Sequence, residues 1–150
     1  MSSTSICRDK SLENPRYVIE EVFKSSLVFE TTILRFGGLI GGSRNPSNFV
    51  KKKQLLKNAR VNLIHLDDCI GVINAILEQG VWGETFNACA DTHPTKEEFY
   101  THVCKQSGYC TPSFKDSDEM VPEVISNEKL KEALSYSFIH PDLMQVNFKH

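Results

Sequence analysis

The sequence predicts an α/β fold built on a mostly parallel sheet. Short, β-branched apolar segments alternate with segments whose apolar residues recur at helical spacing. Helix-start chemistry also recurs between the strand-like runs, as Asn14-Pro15, Asp67-Asp68 and Thr95-Lys96-Glu97-Glu98. The 150 residues fit one domain, of a size that buries roughly 70% of the surface its unfolded chain exposes.

Taken in order, the chain opens on Ser2, Ser3, Thr4 and Ser5, hydroxyls that run directly into Ile6-Cys7. Capping or fraying at a terminus is one reading of that cluster. Asn14 as cap and Pro15 at the first helical position start a helix over about 15–26, with Val18, Ile19, Val22 and Phe23 on one apolar face. FETTILRF (29–36) reads as a buried strand, GGLIGGSRNP as a loop, 47–57 as a helix and VNLIHL as a short strand. Asp67 and Asp68 then open a helix at its positive dipole end, with Leu66, Ile70, Ile73 and Leu77 as its buried stripe. GETFNACA is the next strand. Thr95 and Glu98 form a capping box for a helix carrying Phe99 and Val103. SFKDSDEMVPE (113–123) reads as a mobile loop, and a last helix begins near Ser126-Asn127 with Leu130 and Leu134.

Composition narrows the partners. A formal net charge of -2 and no basic stripe with interleaved aromatics argue against nucleic acid. The lysine run 51–53 reads as the solvated face of a helix. No apolar run is long enough for a membrane span. Five cysteines without CxxC spacing or a signal peptide suggest reduced thiols in a cytoplasmic protein, with Cys69 and Cys89 acting as small hydrophobes.

Gly37-Gly38-Leu39-Ile40-Gly41-Gly42 invites comparison with a dinucleotide loop. The G-x-G-x-x-G pattern needs its middle glycine so that backbone can approach a pyrophosphate, and Leu39 or Ile40 occupies that place here. A bend at a strand end is the better reading. His65 with Asp67 and Asp68 suggests a metal site, but no third ligand is signalled nearby, so the expectation is a hydrogen-bonded structural histidine and no metal. His93 reads as a loop residue ahead of the Thr95 cap.

SSTSICR, YVIEE, TTILRFGGLIGG, NLIHLDDCIGVINAIL and GETFNACADTHPTKEEFY, in this order over about residues 2–146, resemble the C-terminal part of an extended or atypical short-chain dehydrogenase/reductase. The likeness is to the NAD-dependent epimerase/dehydratase family, nucleoside-diphosphate-sugar epimerase-like proteins. It implies the C-terminal half of a Rossmann-like, doubly wound parallel sheet without the N-terminal dinucleotide-binding strands, in one incomplete domain over 1–150. It also implies an NAD or NADP cofactor and a small-molecule substrate. By position Ser3 would bond the substrate oxygen, with Thr4 its neighbour, and Tyr17 would be the acid/base. Gly37, Gly38, Leu39 and Ile40 would touch the nicotinamide side.

The departures from the family pattern are chemical. Tyr-x-x-x-Lys places a cation one turn from the tyrosine, whereas Tyr17 meets Glu21 there, and a carboxylate does not stabilise a phenolate. Lys24 lies two turns on, about 10 Å along the axis. Gly38 stands where epimerases often place Asn, and Val61 where many place Arg, with Arg60 one position off. The expectation is therefore an NAD(P)-dependent epimerase/dehydratase/reductase-like protein, truncated, with cofactor binding by this chain impaired or absent. The alternative is a non-catalytic remnant or a binding and assembly module. Self-association through an open sheet edge or helix face is expected.

Overall fold

The computed structural model describes residues 2–8, 10–50, 53–108, 111–116 and 124–148. Strand β1 (Ser2–Ser3) runs into a 3₁₀ turn over Thr4–Arg8 that places Ile6 in the interior. Helix α1 (Pro15–Lys24) starts as expected, the Asn14 side chain accepting the Arg16 N–H with Pro15 at the first position. Strand β2 (Ile33–Phe36) is shorter than expected. Thr31 and Thr32 divert their hydroxyls to the carbonyls of Phe23 and Val81, and the ladder begins only where the Ile33 N–H reaches Glu84 O.

Gly38–Ile40 form a strand, β3, and not a loop. A Cβ on Gly37 would lie 2.7 Å from Asn62 O, so glycine lets the chain pass close enough for the Gly38 N–H to bond that carbonyl at 2.9 Å. The expected helix over 47–57 is a 3₁₀ turn, Pro46–Phe49, followed by strand β4 (Gln54–Leu56). Asn45 closes the turn by accepting from Ser47, while its amide donates to Ser107 Oγ and Phe148 O. Parallel pairing of Gln54–Leu56 with Ser113–Lys115 then extends the chain instead of coiling it. Lys53 is exposed outside any helix, and Lys51 and Lys52 lie outside the described residues.

Strand β5 (Leu63–His65) leads directly into α2 (Leu66–Gln79), which ends on left-handed Gly80. Strand β6 (Thr85–Ala88) precedes α3 (Lys96–Ser107), whose Thr95–Glu98 capping box is complete in both directions. Residues 113–115 of the expected loop form β7 (Ser113–Lys115), and 117–123 lie outside the described residues. The last helix, α4 (Glu128–Leu134), is entered through the Ser126 hydroxyl, while Asn127 binds Cys89 O and Asp91.

Every strand pair is parallel, in sheets ordered β1-β2-β6, β3-β5 and β4-β7. Among the described residues β1 is an edge strand and β2 lies between β1 and β6. One core packs Phe36, Ile64, Val72, Ile76 and Phe86 against Leu130 and Leu134 of α4. The other joins Ile40, Val61, Phe99 and Val103 to Leu143 and Phe148.

Two helix faces depart from expectation. The buried stripe of α2 is Asp68, Cys69, Val72 and Ile76, whereas Leu66, Ile70 and Leu77 are exposed and Ile73 is half-buried. That register follows from Asp68, which is 0% exposed and accepts from Tyr136 Oη–H, Ile139 N–H and His140 N–H at 3.2, 2.6 and 3.0 Å. A carboxylate holding three donors belongs inside. On α1 the buried residue is Glu20, while Ile19, Val22 and Phe23 face outward.

Candidate functional site

Ser3 ends β1 and borders two cavities. Its hydroxyl accepts the Ser5 N–H at 3.3 Å, and Ser5 Oγ accepts from Arg16 Nη1 at 2.9 Å. The opening hydroxyls thus do cap locally, and they also face open space.

The larger cavity, about 530 Å³, lies between α1 and β2 and is lined by Arg16, Glu20, Phe23 and Thr32 as well as Ser3. Behind it sits an ion pair that the sequence does not signal. Arg35 Nε reaches both Glu20 carboxylate oxygens at 3.0 and 3.1 Å, and Nη2 reaches Oε2 at 2.6 Å. Both residues are buried, and the hydrogen bond to Glu20 raises the Arg35 guanidinium further above its usual range.

The smaller cavity, about 230 Å³, brings Ser3 and Thr4 together with Arg60, Asn62, Lys96 and Tyr100. Arg60 precedes β5 and donates to His93 O at 3.1 Å. Lys96 opens α3. Asn62 accepts the Ile125 N–H at 3.0 Å, and burial raises the Tyr100 hydroxyl above its ordinary range. Two cations and the hydroxyls of Ser3, Thr4 and Tyr100 around one opening can bind an oxygen-rich anion.

Tyr17 is half-buried on α1 and lines neither cavity that Ser3 borders. Lys24 pairs with Glu21 at 3.0 Å with both side chains in solvent. Ser3 and Tyr17 therefore do not converge on a common cavity here. Gly37 and Gly38 are committed to backbone pairing with Ala88 and Asn62, and the next turn has its first free N–H taken by the Asn45 side chain. This stretch does not fit a dinucleotide pyrophosphate.

His65 caps α2, its Nδ1 accepting the Asp67 N–H at 3.2 Å. That is the structural role expected of it. His140, 73 residues after Asp67, adds Nε2 at 3.0 Å from Asp67 Oδ2, a neighbour that local spacing cannot announce. His93 Nδ1 lies 3.2 Å from Val61 O, and burial lowers its pKa. Cys7, Cys69, Cys89 and Cys104 are free thiols, and burial pushes Cys69 and Cys89 up to about 12. Cys110 lies outside the described residues.

Among the described residues, no helix is long and apolar enough to cross a membrane. The sequence matches no protein-family model. It is 33% identical over 112 residues to Protein YeeZ of Escherichia coli K12, covering 73% of this chain and 41% of that protein. A protein of unknown function from Silicibacter pomeroyi superposes with a TM-score of 0.72 at 19% identity, over 86% of this chain and 50% of its own. A dTDP-glucose 4,6-dehydratase from Bacillus anthracis, solved with NAD, gives 0.66 at 14% identity over 88% and 49%. UDP-glucose 4-epimerase from Thermotoga maritima gives 0.62 at 16% over 85% and 48%. This chain thus has the α/β fold of Rossmann-like epimerases and dehydratases and spans about half the length of the proteins it matches.

Proposed function

We propose that the chain is the substrate-side part of an NAD(P)-dependent epimerase/dehydratase-like protein of the short-chain dehydrogenase/reductase superfamily. Its ligand is a sugar nucleotide or a comparable phosphate-bearing molecule. The observation that carries this reading is the cavity shared by Ser3, Arg60, Lys96 and Tyr100 at the end of a parallel strand. Arg60 and Lys96 supply charge for a diphosphate, and the Ser3 hydroxyl supplies a donor for a substrate oxygen. A UDP-glucuronic acid 4-epimerase from Bacillus cereus, solved with UDP-glucuronic acid and NAD, shares this fold at a TM-score of 0.61. The dinucleotide is not held by this half alone, because its glycine stretch is consumed by strand pairing. Cytoplasmic residence belongs to the same reading.

Calorimetric titration with UDP-glucuronic acid and with NADH tests it. The sugar nucleotide should bind, and Arg60→Ala or Lys96→Ala should each weaken binding about tenfold, or ~1.4 kcal/mol. NADH should show no dissociation constant below about 100 μM. Wild-type and variant chains that bind the sugar nucleotide equally, or not at all, would overturn the assignment.

A second reading, a non-catalytic binding or assembly module, is favoured by the Glu21–Lys24 pair, which occupies the lysine that follows Tyr17 on α1. On that reading Tyr17→Phe leaves any activity within a few-fold. The outward Ile19, Val22 and Phe23 of α1 support self-association, which size-exclusion chromatography reads directly. A sharp monomer peak would count against it.

A further inference from the structure

We propose that His65, Asp67 and His140 form a binding site for a divalent transition-metal ion of the zinc type. Asp67 Oδ2 lies 3.0 Å from His140 Nε2 and 3.3 Å from His65 Nδ1, and the three ligand atoms fall within 4.8 Å of one another. Zinc with bonds of about 2.0–2.1 Å sets its tetrahedral ligands roughly 3.3 Å apart, so two of the three edges already have the right length.

His65 Nδ1 has a single lone pair, which the Asp67 N–H shares at 3.2 Å, with Asp67 Oδ2 3.3 Å away. A metal ion would take that lone pair in place of the N–H and draw in the carboxylate oxygen beside it.

The ligands are held from behind. The His65 ring rests on Gly41, where a Cβ would come within 2.2 Å of Nε2, so Nδ1 is the edge turned to Asp67. Buried Asp68 fixes the other side by accepting the backbone N–H groups of Ile139 and His140. Supports of this kind orient metal ligands. The two rings lie 3.9 Å apart between centroids. The Asp67 side chain is 55% exposed, which leaves a fourth position to water. Ligation requires both imidazoles in their neutral form, so the donor set would carry a charge of -1. That charge and Asp68 oppose the unfavourable positive end of α2.

Cobalt(II) absorption and zinc competition against a chromophoric chelator test the site on the full chain after its accessible thiols are alkylated. One zinc should bind with a dissociation constant below about 10 μM. The cobalt complex should show visible d–d bands without a thiolate charge-transfer band. His140→Ala and Asp67→Ala should each weaken binding at least tenfold, and His102→Ala should not. Zinc should also raise the melting temperature of the wild type and not of His140→Ala, a readout independent of the dye. Binding weaker than that limit, a thiolate signature, or ligand variants that bind as tightly as wild type would overturn the proposal.

Discussion

Asp68→Asn should be among the costliest conservative substitutions in the chain. The carboxylate is fully buried and accepts three hydrogen bonds, two at Oδ1 and one at Oδ2. An asparagine of the same shape keeps its oxygen toward Tyr136 and Ile139, and turns its NH₂ toward the His140 N–H. Two donors then face each other where a charged acceptor stood. The lost charge-assisted bond is worth about 1.5–3 kcal/mol, and the stranded buried N–H adds about 1–3 kcal/mol. The expected loss is therefore about 3–5 kcal/mol, far above the ~1 kcal/mol of a charge that merely suits a helix dipole. Urea unfolding followed by far-UV circular dichroism measures it through the midpoint at constant slope. The melting temperature should fall by roughly 2–4 °C per kcal/mol. A loss under about 1 kcal/mol would show that Asp68 acts only through the dipole and that loop 136–140 is held by something else.

Gly71→Ala in α2 should destabilise despite alanine's helix preference of about 1 kcal/mol, because its Cβ would sit 2.2 Å from Tyr136 Oη; a gain in thermal stability refutes that packing. Glu20→Ala strands buried Arg35 and should cost about 3–5 kcal/mol, whereas Glu20→Leu with Arg35→Met should recover most of it in the same melts. Burial and then the Asp68 charge push the Tyr136 hydroxyl up to about 12, while the unfolded chain loses that proton near 10. The folded state therefore holds more protons between these values. This contribution to stability is intact below about pH 10 and is lost as pH rises toward 12, a slope that Tyr136→Phe should remove from urea midpoints. Iodoacetamide should modify Cys7 before Cys69 or Cys89 in the native chain, and mass mapping of equal rates would contradict their burial.

What the sequence reveals is local chemistry. Asn14-Pro15 and Thr95–Glu98 specify their helix starts within a few residues, and both starts are where the spacing puts them. Periodicity misplaces the inner face of α2, since Leu66, Ile70 and Leu77 form as regular a stripe as Cys69, Val72 and Ile76. The choice is made by donors from 136–140, some seventy residues away, which hydropathy does not encode. Strands β3 and β4 are likewise invisible locally, because each exists through a parallel partner far along the chain. Of the candidate site, Ser3 is legible through the family resemblance. Arg60, Lys96 and Tyr100 join it only once β5 and α3 are folded beside β1.

Helix α1 buries one charged residue, Glu20, while its Ile19, Val22 and Phe23 side chains lie largely in solvent. Its ties to the rest of the chain run from Arg16 to Ser5, from Glu20 to Arg35, from the Thr31 hydroxyl to the Phe23 carbonyl, and through a ring contact between Phe23 and Phe29. Neither hydrophobic core includes a residue of α1. Opening this helix exposes little apolar surface, so it belongs to the low end of the local-unfolding scale, where amide exchange outruns that of the cores. The helix also forms one wall of the larger cavity beside Ser3. Moving α1 away would widen that cavity, and the Glu20–Arg35 pair is the contact that such a motion has to part.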